Sequence, residues 1–104
     1  MRIVWAPLAQ TRTIDAATYI AKDNPEAAEQ WVIGLFDAIG RLQHLPNLGR
    51  MVPEIGRPEI REILYRRYRV IYRVSTTRVD ILTVRHQRRL FDPAEIIGTT
   101  RRQI

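Results

Sequence analysis

The chain has 104 residues and a formal net charge of +6, with 45% hydrophobic and 27% charged residues, which fits one folded domain and leaves no room for a second. Cysteine is absent and histidine occurs only twice, so disulfides, thiolate metal sites and Cys nucleophiles are excluded, and neither a metal nor another cofactor is expected. No apolar run approaches the roughly 20 residues of a membrane span, and no signal-peptide core opens the chain, so a cytoplasmic protein without a membrane partner is expected.

Arg2-Ile3-Val4-Trp5 is a short β-prone run ending at Ala6-Pro7, the pattern of a strand over 2 to 5 followed by a helix with proline in its first turn. Ala9, Ala16, Ala17, Tyr19 and Ile20 then give a weakly amphipathic helix over 7 to 22, burdened by several threonines. Asn24-Pro25-Glu26 reads as an N-cap, a proline at the first helical position and an acid near the positive end of the helix dipole. Ala28, Trp31, Val32, Leu35, Ile39 and Leu42 recur at steps of three and four, so a second helix is expected over 25 to 45, ended by Pro46. Trp31 belongs to its core face, whereas Trp5 suits either the core or a partner.

Pro46 to Pro58 holds three prolines and two glycines without a period, and reads as a connecting loop. Three antiparallel strands follow, over 60 to 65, 67 to 75 and 79 to 86, rich in Ile, Val and Tyr. Alternation along the middle strand puts Tyr68, Val70, Tyr72 and Val74 on one face and Arg67, Arg69 and Arg73 on the other, with Ile71 among the arginines. Asp92-Pro93-Ala94-Glu95 suits a short final helical turn, and 99 to 104 reads as a frayed tail. The expected fold is α+β: an N-terminal strand at the sheet edge beside the last strand, and a two-helix hairpin on one face of a small, mainly antiparallel twisted sheet. The opposite face is left open for a ligand. The whole of 1 to 104 forms this single domain.

Charge is distributed unevenly. Residues 1 to 50 balance five bases against five acids, while the remainder sets twelve arginines against six acids, and the chain has a single lysine, Lys22. Guanidinium forks suit bidentate pairing with carboxylate or phosphate, so the bias toward arginine points to an anionic partner, either nucleic acid or an acidic protein segment. His86 at the end of the last strand is read as hydrogen-bonded to a neighbour, and His44 is given no function. Glu59 and Glu62 are read as salt-bridge partners near Arg61.

Several segments resemble the RelE/ParE superfamily of toxins from type II toxin-antitoxin systems, and within it the ParE branch, over residues 3 to about 91. These are Trp5 and Ala9 followed by Tyr19-Ile20-Ala21, Pro25-Glu26-Ala27-Ala28 opening the second helix, and Leu45-Pro46-Asn47-Leu48-Gly49-Arg50 after it. The late segments are the most specific: Ile60-Arg61-Glu62-Ile63, Tyr68-Arg69-Val70-Ile71-Tyr72-Arg73-Val74 and Ile81-Leu82-Thr83-Val84-Arg85-His86-Gln87-Arg88-Arg89. Arg12-Thr13 departs from an acid and leucine pair frequent in the ParE first helix.

The resemblance implies a toxin that inhibits DNA gyrase without catalysis, with RelE-like, ribosome-dependent mRNA endonuclease action as the alternative. For the nuclease, Arg61, Arg69 and Arg85 would supply cations and His86 an acid or base. The late tyrosine that RelE relatives often carry is missing, since none follows Tyr72. Arg61, Arg69, Arg73, Arg85, Arg88 and Arg89 are the expected surface for target or antitoxin. The partner implied is a cognate antitoxin with an acidic, amphipathic C-terminal arm, forming a hetero-oligomer, its arm filling an apolar groove beside the first helix rimmed by arginine.

Overall fold

In the computed structural model, which describes residues 1–96, β1 (Arg2–Trp5) passes through Ala6 into α1 (Pro7–Asp23), and α2 (Pro25–Gly40) follows after the single residue Asn24. The tight reversal has a local cause. The Asn24 side chain accepts the Ala27 N–H at 3.1 Å, Pro25 needs no partner at the first helical position, and Glu26 meets the positive helix end. The second helix ends earlier than Leu45: Arg41–Gln43 tighten into a 3-10 turn that drops Leu42 into the core, and the His44 N–H reaches back to the Arg41 carbonyl at 3.3 Å.

The sheet is formed by β1 with β2 (Arg50–Met51), β3 (Ile60–Tyr65), β4 (Tyr68–Val74) and β5 (Arg78–His86), in the order β1-β5-β4-β3-β2. β1 lies at the edge, parallel to β5, and the other pairs are antiparallel. β2 is a correction to the reading of 46 to 58 as loop alone. Two residues flanked by proline and glycine carry no periodic signal, yet Arg50 and Met51 pair with Glu62 and Arg61.

The hairpin of α1 and α2 packs on one sheet face. Ala9, Ala16, Trp31, Leu35, Ile39 and Leu42 meet Val70, Tyr72, Val79, Ile81 and Val84 there. The alternation expected in β4 holds, with Tyr68, Val70, Tyr72 and Val74 all on the helix side. In β5 strict alternation fails: Ile71 pairs with Thr83 and Tyr72 with Ile81, so Leu82 is the extra residue of a β-bulge. The bulge lets Ile81 and Val84 face the helices while Leu82 turns to the other side.

That other side is covered, contrary to the open face expected. Ile60, Ile71 and Leu82 are apolar and lie among the arginines; Val52 and Ile55 from the loop and Phe91 and Ile96 from the C-terminal segment pack over them as a second core. Residues 93–96 form the expected helical turn, in which the Ala94 N–H donates to Asp92 Oδ1 at 3.0 Å. The segment expected to fray, 99 to 104, lies outside the described residues.

Gly49 fixes the loop that carries β2. Its N–H donates to the Tyr72 hydroxyl at 2.9 Å, that hydroxyl donates to the Pro46 carbonyl at 2.8 Å, and the Gly49 carbonyl accepts from Arg61 Nη1 at 2.8 Å. A methyl at position 49 would stand 2.4 Å from the Glu62 carbonyl oxygen and 2.7 Å from the Tyr72 hydroxyl. Gly49→Ala is therefore expected to destabilise the fold by about 2 to 3 kcal/mol in urea denaturation, the range of core overpacking. Gly40→Ala, with open space at its Cβ, is the matched control and should not lose stability.

Candidate functional site

Most arginines of the second sheet face are held by carboxylates of the same chain. Arg69, in the middle of the face, donates Nη1 and Nη2 to the two oxygens of Glu54 at 2.9 Å each, and Nε to Glu62 Oε1 at 2.6 Å. Glu62 is 2% exposed, and its other oxygen takes Arg50 Nε at 2.7 Å. The bonds from Arg69 hold the Glu54 carboxyl below the usual carboxylate range, and the bonds to Glu54 and then Glu62 hold the Arg69 guanidinium further above its own. Glu62 thus pairs with Arg69 and Arg50 rather than with Arg61.

Arg85 is similarly occupied. Its side chain is buried, Nη1 donates to Glu95 Oε2 at 2.7 Å, and Nη2 donates to the Leu90 carbonyl. The other oxygen of Glu95 takes Arg12 Nη2 at 2.6 Å, so the arginine that departs from the ParE helix pattern has a structural partner. The Phe91 ring lies beneath both Arg69 and Arg85, with their guanidinium carbons 4.9 and 5.5 Å from its centroid. At the far end of the face, Asp80 is fully buried between Arg78, 2.9 Å away, and Arg73, 3.8 Å away.

Of the residues named for a nuclease, only Arg69 and Arg85 are brought together, as register partners of β4 and β5. Arg61 falls on the helix face, in register with Tyr72, and reaches the Gly49 carbonyl. Arg69 and Arg85 are neutralised on the other face. His86 Nδ1 accepts the Arg88 N–H at 3.1 Å, as expected for a strand-end histidine, and its ring meets Tyr68 edge-on at 5.2 Å. Arg88 and Arg89 are exposed and, among the described residues, make no ion pair.

An open cleft of about 770 Å³ lies between α1 and the ends of β4 and β5. Ala16, Tyr19, Tyr68 and Val84 give it apolar surface, and Lys22, Arg85, Arg88 and Arg89 give it positive charge. Tyr68 is buried enough for its hydroxyl to titrate above the ordinary tyrosine range, so it is a neutral hydrogen-bonding group at physiological pH. This is the groove beside the first helix expected from the sequence, but α1 contributes more than was read there. Arg12, Asp15, Tyr19 and Lys22 all line it, and their spacing of three, four and three residues is the mark of one helix face.

These pairings give Arg69 a structural role. Arg69→Lys keeps the charge but cannot reproduce a fork bonded to two carboxylates, and is expected to cost about 2 kcal/mol of stability. Arg88→Lys, at an exposed side chain, should stay within about 0.5 kcal/mol of the parent. The pH dependence follows from Glu54: its folded-state pKa is depressed, so its stabilisation is present above the unfolded pKa and is lost as pH falls through the folded value. Glu54→Gln is expected to flatten the acid limb of the stability profile while leaving its neutral-to-alkaline shape intact.

The family model described as "ParE toxin of type II toxin-antitoxin system, parDE" matches residues 3–91. A solved structure described as "Chromosomal ParDE TA system from P. aeruginosa" is similar in fold, with a TM-score of 0.68 at 24% identity over 83% of this chain and 95% of that chain. No curated protein matches the chain. The matched span runs from within β1 to Phe91 and takes in α1, α2, β2 to β5 and the residues that line the cleft. The chain belongs to the ParE toxin family of type II toxin-antitoxin systems.

Proposed function

We propose that this toxin acts in the cytoplasm by binding DNA gyrase and blocking its cycle, without chemistry of its own, and that a separate antitoxin holds it inactive in a hetero-oligomer. The observation that carries this reading is the state of the arginines in a ParE-family chain. Arg69 and Arg85 are committed to Glu54, Glu62 and Glu95, while Arg88 and Arg89, beside a partly apolar cleft, make no ion pair among the described residues. A surface of that kind binds, and nuclease action finds no support where Arg69 and Arg85 are held by carboxylates and Arg61 and His86 fall on the opposite face of the sheet. Among the described residues no helix is long and apolar enough to cross a membrane.

The antitoxin fits the cleft through its chemistry. An amphipathic arm would lay apolar side chains on Ala16, Tyr19 and Val84 and bring carboxylates to Lys22, Arg88 and Arg89. Charge attraction would speed its capture, and the desolvated apolar contact would slow its release. Of the arginines assigned to target or antitoxin from the sequence, Arg88 and Arg89 make that contact in this reading; Arg85 lines the same cleft, and Arg61, Arg69 and Arg73 lie outside it.

Gyrase supercoiling of relaxed plasmid with purified toxin tests the reading. Inhibition is expected, with mRNA left intact in a translation extract, and replacing Arg88 and Arg89 by alanine should raise the half-inhibitory concentration roughly tenfold, the equivalent of one lost charged contact. Unimpaired supercoiling together with cleaved mRNA would replace this reading with the endonuclease.

A further inference from the structure

We propose that the end of the sheet marked by the β3–β4 turn binds the phosphate backbone of duplex DNA, through Arg66, Arg67, Arg88 and Arg89. Tyr65 and Tyr68 are register partners, so Arg66 and Arg67 are the two residues of the connecting turn. Tyr68 is also paired with His86, and the Gln87 N–H donates to the Arg67 carbonyl at 2.8 Å. Two consecutive arginines after β5 are thereby laid beside two consecutive arginines between β3 and β4.

Charge balance separates this end from the middle of the sheet's second face. Arg12, Arg50, Arg69, Arg73, Arg78 and Arg85 each lie within 4.0 Å of a carboxylate. Arg66, Arg67, Arg88 and Arg89 are all exposed, and among the described residues none of them makes an ion pair. Lys22, from the last turn of α1, lines the cleft with Arg88 and Arg89 and adds a fifth cation. A concentration of five cations, with Asp15 as the one acid lining the adjoining cleft, matches a polymer that presents one negative charge for about every 1.7 Å of its axis.

The backbone that carries these side chains is fixed. Arg66 has a φ of +53°, at the first central position of a two-residue turn where glycine is the usual occupant, and its guanidinium carbon stands 5.4 Å from the centroid of the Tyr65 ring. An arginine kept in a left-handed conformation is a local cost, and the exposed side chain is set against it only by its contact with the Tyr65 ring. The Arg88 N–H is held by His86 Nδ1, and the Arg89 N–H donates to the His86 carbonyl at 3.0 Å.

A duplex fits better than a single strand. Single strands are bound by stacking successive bases on exposed aromatic rings. Here the Tyr65 and Tyr68 rings are half-buried against Trp31, with centroids 5.9 and 5.0 Å from it, which leaves Tyr19 as the exposed ring lining the cleft. The choice of DNA over duplex RNA rests on the gyrase reading, because DNA is what that target holds; the charge geometry does not depend on it.

The test is fluorescence anisotropy of a labelled DNA duplex titrated with the full chain, in the absence of gyrase. With four phosphates neutralised, raising salt from about 50 to about 200 mM should weaken binding roughly 10²-fold, and only roughly tenfold for either Arg66→Gly with Arg67→Ser or Arg88→Ser with Arg89→Ser. Glycine suits the backbone at position 66, so the first pair should lose DNA affinity without losing thermal stability. Arg2→Ser with Arg57→Ser, at the opposite end of the sheet, should retain the parental salt dependence. An equal loss in that control pair would reduce the effect to net charge and overturn the proposal. Preference for duplex RNA or single strands, or capture of polyglutamate in place of DNA, would also overturn it. Supercoiling inhibited by a toxin that does not bind DNA would refute this inference alone, and DNA binding without inhibition would refute the gyrase reading alone.

Discussion

Glu62 sits at the middle of β3, nearly sealed from solvent, with one oxygen on Arg69 and the other on Arg50. Removing a carboxylate from water costs several kcal/mol, which two guanidinium partners offset only while their geometry is kept. The pairing therefore constrains three elements together: the short β2 that carries Arg50, the strand β3 and the central strand β4. It also recruits Glu54 from the loop, since the fork of Arg69 has two NH2 groups left to satisfy. A chain with net charge +6 has in this way withdrawn its central arginine from the surface, and the charge left over appears at the sheet end and in the α1 cleft.

The second constraint is the bulge at Leu82. A regular β5 could not direct Ile81 and Val84 to the helical hairpin while sending Leu82 to the opposite face. With the bulge, one strand serves two cores, and Ile71 and Leu82 form a floor for Val52, Phe91 and Ile96. The C-terminal segment that supplies two of these residues also supplies Glu95, which ties Arg85 to Arg12 on α1. Packing on the second face and the shape of the basic cleft are thus linked through a single short segment.

The fold was legible because its main elements carry strong local signals. Asn24-Pro25-Glu26 marked the start of α2, and the alternation of Tyr68, Val70, Tyr72 and Val74 marked the core face of β4. β2 was invisible: two residues in a proline-rich and glycine-rich loop have no period. The covered face was hinted at by Ile60, Ile71 and Leu82, but its cover comes from segments distant in sequence and joined only by packing. The same distance hid the ion pairs, since Glu54 and Glu95 lie 15 and 10 residues from the arginines they hold. The helix face formed by Arg12, Asp15, Tyr19 and Lys22 was legible in principle, but the apolar periodicity of α1 drew attention to its buried side instead.

The arginines of the sheet's second face hold the fold together, so that binding falls to cations elsewhere. A double-mutant cycle on Arg69 and Glu62, with each replaced by alanine singly and together and unfolding followed in urea, measures it directly. A coupling energy of about 2 kcal/mol or more is predicted, because each single variant leaves a buried charge with one of its two partners gone. A coupling below about 0.5 kcal/mol, the scale of independent surface sites, would contradict it and return Arg69 to the binding surface.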